Sequence, residues 1–67
     1  MEKETMLISE MYNGYYFQFL TGNIVYQLDY LLDGVAYYHN VDTGKEASKS
    51  YTDTDVIGYL PNFVKVL

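Results

Sequence analysis

Turn signals cut this chain into short pieces, and pieces of that length pair as antiparallel strands. Asn13-Gly14, Thr21-Gly22-Asn23, Asp33-Gly34 and the polar loop Asp42–Glu46 interrupt runs rich in β-branched and aromatic residues. Asn-Gly and Asp-Gly mark hairpins because both central residues of the tight turn take positive φ. The expected strands are Met6–Tyr12, Tyr15–Leu20, Ile24–Leu32, Val35–Val41, Ser48–Thr52 and Phe63–Leu67. Thr52, Asp53, Thr54 and Asp55 offer capping oxygens for one short helical or 3₁₀ turn before the last strand. The sequence therefore predicts a mainly β domain of five or six antiparallel strands, arranged as a small meander or a partly open barrel. Residues 1–67 form a single domain in this reading, with 1–5 as a flexible tail.

Alternation assigns faces to the strands. Tyr15, Phe17 and Phe19 share one face. In Ile24–Leu32, one face carries Ile24, Tyr26, Leu28, Tyr30 and Leu32, and the other carries Val25, Gln27, Asp29 and Leu31. Leu28, Leu31 and Leu32 also sit at helical spacing, so a helix is the competing pattern for this segment. Its β-branched and aromatic content favours the strand. Tyr26 and Tyr30 are expected in the core. In Tyr15-Tyr16 and Tyr37-Tyr38 the two rings of each pair must point to opposite faces, which leaves one of each exposed.

Composition narrows the function. A chain of 67 residues without cysteine has no disulfide or thiolate zinc site to staple it, so apolar packing must hold it together. Dimerisation would add buried area. Lys and Arg number 4, all lysine, against 9 Asp and Glu, for a net charge of -5. Direct nucleic-acid binding needs cations that this chain lacks. No apolar run is long enough for a membrane span or a signal peptide, so a soluble, cytoplasmic-type protein is expected.

The sequence offers little catalytic chemistry. Its one histidine, His39, lies mid-strand among tyrosines and reads as a partly exposed strand residue. Ser9, Ser48 and Ser50 have no nucleophile-elbow context. Asp53 and Asp55 lack the glycine spacing and downstream glutamate of a calcium loop, and read as turn caps. No enzyme activity, cofactor or metal is expected.

Nine tyrosines beside no arginine point instead to contact with another protein. Tyrosine is a stiff, amphipathic residue common at interface hot spots. The same rings could form ordinary cross-strand ladders. The carboxylates Asp29, Asp33, Asp42, Glu46, Asp53 and Asp55 could form an array facing a basic partner. On an extended segment Asp53 and Asp55 would lie about 7 Å apart, close to the rise of two base steps along one DNA strand. Tyr16 and Tyr38 are the rings expected to accompany them.

Two resemblances bear on this reading. The tail Gly58-Tyr59-Leu60-Pro61-Asn62-Phe63-Val64-Lys65-Val66-Leu67 resembles the end of an SH3 domain, where a Gly-aromatic-apolar-Pro stretch leads through a 3₁₀ turn into the last strand. Phe63 stands where the family has tyrosine, and one residue is missing between Pro61 and Asn62. The likeness implies an SH3-like barrel and, as the alternative function, an adaptor that binds an extended peptide or a sheet edge. A self-associating structural subunit is a further alternative. In size, acidity, lack of cysteine and aromatic content, the whole chain is similar to the small inhibitors that bacteriophages direct against host DNA-handling proteins. That resemblance implies a non-enzymatic DNA mimic whose partner is a basic DNA-binding protein, with homodimerisation possible.

Overall fold

The computed structural model describes residues 3–66, with side chains as far as Phe63. The described chain is mainly β. Its strands are β1 (Glu4–Leu7), β2 (Tyr16–Phe19), β3 (Tyr26–Leu32), β4 (Val35–Asn40), β5 (Glu46–Ser50) and β6 (Val56–Tyr59), followed by one short helix, α1 (Pro61–Val66). The strands form one open antiparallel sheet in the order β1-β6-β2-β3-β4-β5. Strands β2 to β5 follow one another as a meander. The chain then returns to place β6 between β1 and β2. No helix among the described residues is long and apolar enough to cross a membrane.

The expected turn at Thr21-Gly22-Asn23 forms between β2 and β3, with the Gly22 N–H on the Phe19 carbonyl at 2.9 Å, and the next two turns also form as read. Asp33 and Gly34 have φ of 53° and 76°, the paired positive values that a two-residue β3–β4 turn requires. In the β4–β5 turn the Gly44 N–H donates to the Asn40 carbonyl at 2.7 Å, with Gly44 at φ 75°. The Asn40 side-chain oxygen accepts the N–H groups of Asp42 and Thr43 at 2.8 and 3.2 Å.

Both ends of the chain depart from the expectation. Residues 4 and 5, assigned to a tail, lie in β1 opposite Tyr59 and Gly58, while Met1 and Glu2 lie outside the described residues. The expected strand Met6–Tyr12 stops at Leu7, and Ile8–Glu10 forms a 3₁₀ turn. Side chains three apart superimpose on such a turn. Ile8 and Met11 therefore drop together into the core, at 3% and 4% exposure. Asn13-Gly14 still forms a turn, closed by the Tyr15 N–H on the Tyr12 carbonyl at 3.2 Å. It does not join paired strands, because β6 fills the space between β1 and β2.

At the other end, Thr52–Asp55 forms a short hydrogen-bonded turn before the last strand. The Asp55 N–H donates to the Thr52 carbonyl at 3.2 Å, and the Asp55 carboxylate accepts the Thr52 N–H at 3.0 Å. The last strand is Val56–Tyr59, however, and the expected strand Phe63–Leu67 gives way to α1 over its described residues. Leu67 lies outside them. Pro61 explains the change. At the first position of a helix its missing N–H costs nothing and its fixed φ favours the helical state.

Two apolar clusters result. On one face, the buried residues Phe17, Leu28 and Ile57 join Ile8, Met11, Ala36 and Tyr38, flanked by Phe19, Tyr26 and Tyr59. Tyr16 points the other way from Phe17. There it is covered by α1: its ring lies 5.5 Å from that of Phe63, and its carbonyl accepts the N–H of buried Leu60 at 2.9 Å.

Candidate functional site

A β-bulge in β3 builds the candidate site. Leu28 lies opposite Tyr38 and Tyr30 opposite Tyr37, so Asp29 is the extra residue on its strand. The insertion reverses the facing of everything after it. Tyr26 and Leu28 point into the core as expected, but Leu31 replaces Tyr30 there. Tyr30 and Leu32, expected on the apolar face, are 44% and 54% exposed.

The reversal brings Tyr30 onto the outer face beside Tyr37, with ring centroids 4.6 Å apart and planes 21° from parallel. Asp29 reaches along the same face to His39, whose Nδ1 lies 2.9 Å from Asp29 Oδ1. With the carboxylate ionised and able only to accept, the His39 Nδ1–H is the donor of this bond. Glu46 on β5 stands directly opposite His39. Asp29, Tyr30, Tyr37, His39, Gly44 and Glu46 line an open groove of about 520 Å³.

Among the described residues no hydroxyl is hydrogen-bonded to His39. Two carboxylates beside two stacked, electron-rich rings match a cationic side chain. A guanidinium or ammonium can sit over a ring face while its N–H groups meet the carboxylates.

The expected contact residues divide into groups. Asp29 and Glu46 line the groove, and Asp42 lies in the adjoining β4–β5 turn. Asp33 and Asp53 lie at the far end of the β4–β5 ladder, where the Tyr51 N–H donates to the Gly34 carbonyl at 2.9 Å. Asp55 is held by the Thr52 N–H. Asp53 and Asp55 thus occupy a turn, and the extended spacing expected of them does not form.

Tyr16 and Tyr38, expected as exposed contact rings, are 6% and 7% exposed. Tyr16 is on the outer face but lies under α1. Tyr38 faces the core, packed edge-on against Phe17 at 5.5 Å and Tyr26 at 5.0 Å. Burial, and then the neighbouring Tyr26, pushes the Tyr38 phenol above the ordinary value of 10.0. Sequence reasoning passed over Tyr30, Tyr37 and His39 as groove residues. The spacing of Leu28 and Leu31 was the available signal, since strict alternation cannot put both on the core face.

No protein family, curated protein or solved structure matches this chain.

Proposed function

We propose that this protein is a non-enzymatic inhibitor that occupies the basic DNA-binding surface of a partner protein, in the manner of the small acidic inhibitors encoded by bacteriophages. It acts inside the cell, where such partners work. The observation that carries the proposal is the groove in which Asp29 and Glu46, on either side of His39, lie beside the stacked Tyr30 and Tyr37. The carboxylates take the place of phosphates for the partner's lysines and arginines, and the rings supply apolar contact that phosphate lacks. Net charge of -5 steers the encounter from a distance.

The SH3-like peptide adaptor has less support. The ring it would use, Tyr38, is in the core, and α1 occupies the described residues to which the resemblance assigns a closing strand. Affinity capture from bacterial lysate on the immobilised chain tests the proposal. Captured proteins should be basic DNA binders, and added duplex DNA should release them. Salt should weaken the capture steeply. Captured proteins that stay bound in excess duplex DNA would contradict mimicry.

A further inference from the structure

We infer that the chain forms a two-fold symmetric dimer by pairing β5 with β5 of a second copy. Strand β5 is an edge of the sheet, and all of Glu46–Ser50 is exposed. Hydrogen bonding to β4 fixes which backbone groups remain free. The Lys45 carbonyl accepts the Asn40 N–H at 2.9 Å, and the Tyr51 N–H donates to the Gly34 carbonyl at 2.9 Å. Bonding residues alternate along an antiparallel strand, so Lys45, Ala47, Lys49 and Tyr51 face β4. Glu46, Ser48 and Ser50 therefore direct their N–H and C=O groups at the open edge. Among the described residues the Ser50 carbonyl meets only Lys49 Nζ there, at 3.5 Å.

The side chains select one register. A two-fold axis normal to the sheet must pass through a residue pairing with its own copy, because opposed side chains share a face. Centring on Ala47 sets Lys45 against Lys49 of the second copy. Centring on Lys49 sets that lysine against itself. Both are like-charge pairs across the strands, as is the Glu46 self-pair made by centring on Glu46, and such pairs destabilise. Centring on Ser50 runs Glu46–Ser48 against the turn at Thr52–Thr54 instead of a strand. Centring on Ser48 avoids them: Ser48 meets Ser48, Glu46 meets Ser50, and Ala47 meets Lys49. It also aligns the free backbone groups, since Glu46, Ser48 and Ser50 then each face one of the same set and exchange two hydrogen bonds per pair.

The opposite edge is less available. By the same alternation, set by the Ile8 N–H on the Asp55 carbonyl at 2.9 Å, β1 turns only Thr5 and Leu7 outward. The Leu7 N–H is already taken by the Glu10 carboxylate at 3.2 Å. Pairing through β5 would place both grooves on one face, on either side of the axis.

Sedimentation should show a mass approaching twice the 7.8 kDa of one chain as concentration rises. Ser48→Pro removes an N–H that points away from β4, a position where an edge strand tolerates proline. It should stay monomeric with an unchanged circular dichroism spectrum. Ser48→Cys should cross-link to itself under mild oxidation, as opposed Cα atoms about 5.5 Å apart lie within disulfide reach. Ser50→Cys should not cross-link alone but should do so when mixed with Glu46→Cys. A strict monomer at all concentrations would overturn the inference, and so would self-linking of Ser50→Cys as fast as that of Ser48→Cys.

Discussion

Phe17→Ala should lower the melting temperature of the chain more than any surface substitution, and unfold it if its stability is at the low end for its size. Phe17 is 1% exposed and sits at the centre of the aromatic cluster, with ring centroids 5.6 Å from Phe19, 5.7 Å from Tyr26 and 5.5 Å from Tyr38. It also ties the sheet together, lying opposite Tyr26 of β3 on one side and Tyr59 of β6 on the other. Truncating a buried phenylalanine costs about 3–5 kcal/mol. At roughly 0.05–0.15 kcal/mol per residue, a chain of this size has a total stability of about 3–10 kcal/mol. The one substitution thus removes much or all of it. Leu20→Ala, at a position 50% exposed, should change little. Thermal melts followed by circular dichroism decide the matter. A Phe17→Ala variant melting within a few degrees of the parent would show that the core lies elsewhere.

The second large effect concerns the partner. Glu46→Lys should weaken binding to a captured DNA-binding protein about a hundredfold, close to 2.7 kcal/mol. The substitution replaces a groove carboxylate with a cation facing the partner's cations, and like-charge contacts at an interface cost several kcal/mol. Asp53→Lys makes the same change of net charge at the far end of the β4–β5 ladder. It should act through long-range attraction alone, with a smaller effect that fades as salt is added. Titration calorimetry on the two variants compares them directly. Equal losses would mean that net charge is recognised and the groove is not.

How the sequence spoke to these features depended on distance along the chain. Local chemistry was legible. Asp33-Gly34 needed only its own two residues to form a hairpin turn, and Asn40 with Gly44 shaped the next one. The strand β3 followed from the aromatic and β-branched content of Ile24–Leu32, although Ile24 and Val25 themselves lie outside it. Pairings between distant segments were not legible. Nothing in Val56–Tyr59 says that it will lie between β1 and β2, since that position is set by Ile57 and Tyr59 packing onto Phe17 and Phe19.

The groove depended on the same kind of non-local information. A bulge at Asp29 is a property of two strands in register, and alternation read along one strand carries the wrong facing past it. That is why Tyr30 was assigned to the core. Asp29 and Glu46 were found because charge is visible in any register. Their common neighbour His39 was not, because its bond to Asp29 spans two strands.

The central claim is that the bulged face of β3, β4 and β5 receives cationic side chains. Backbone amide chemical-shift mapping with a short oligoarginine peptide at low salt tests it most directly. Shifts concentrated at Asp29, Tyr30, Tyr37, His39 and Glu46, and lost as salt is raised, are the predicted result. Shifts spread evenly over every acidic turn, with Asp33 and Asp53 moving as much as Glu46, would contradict it.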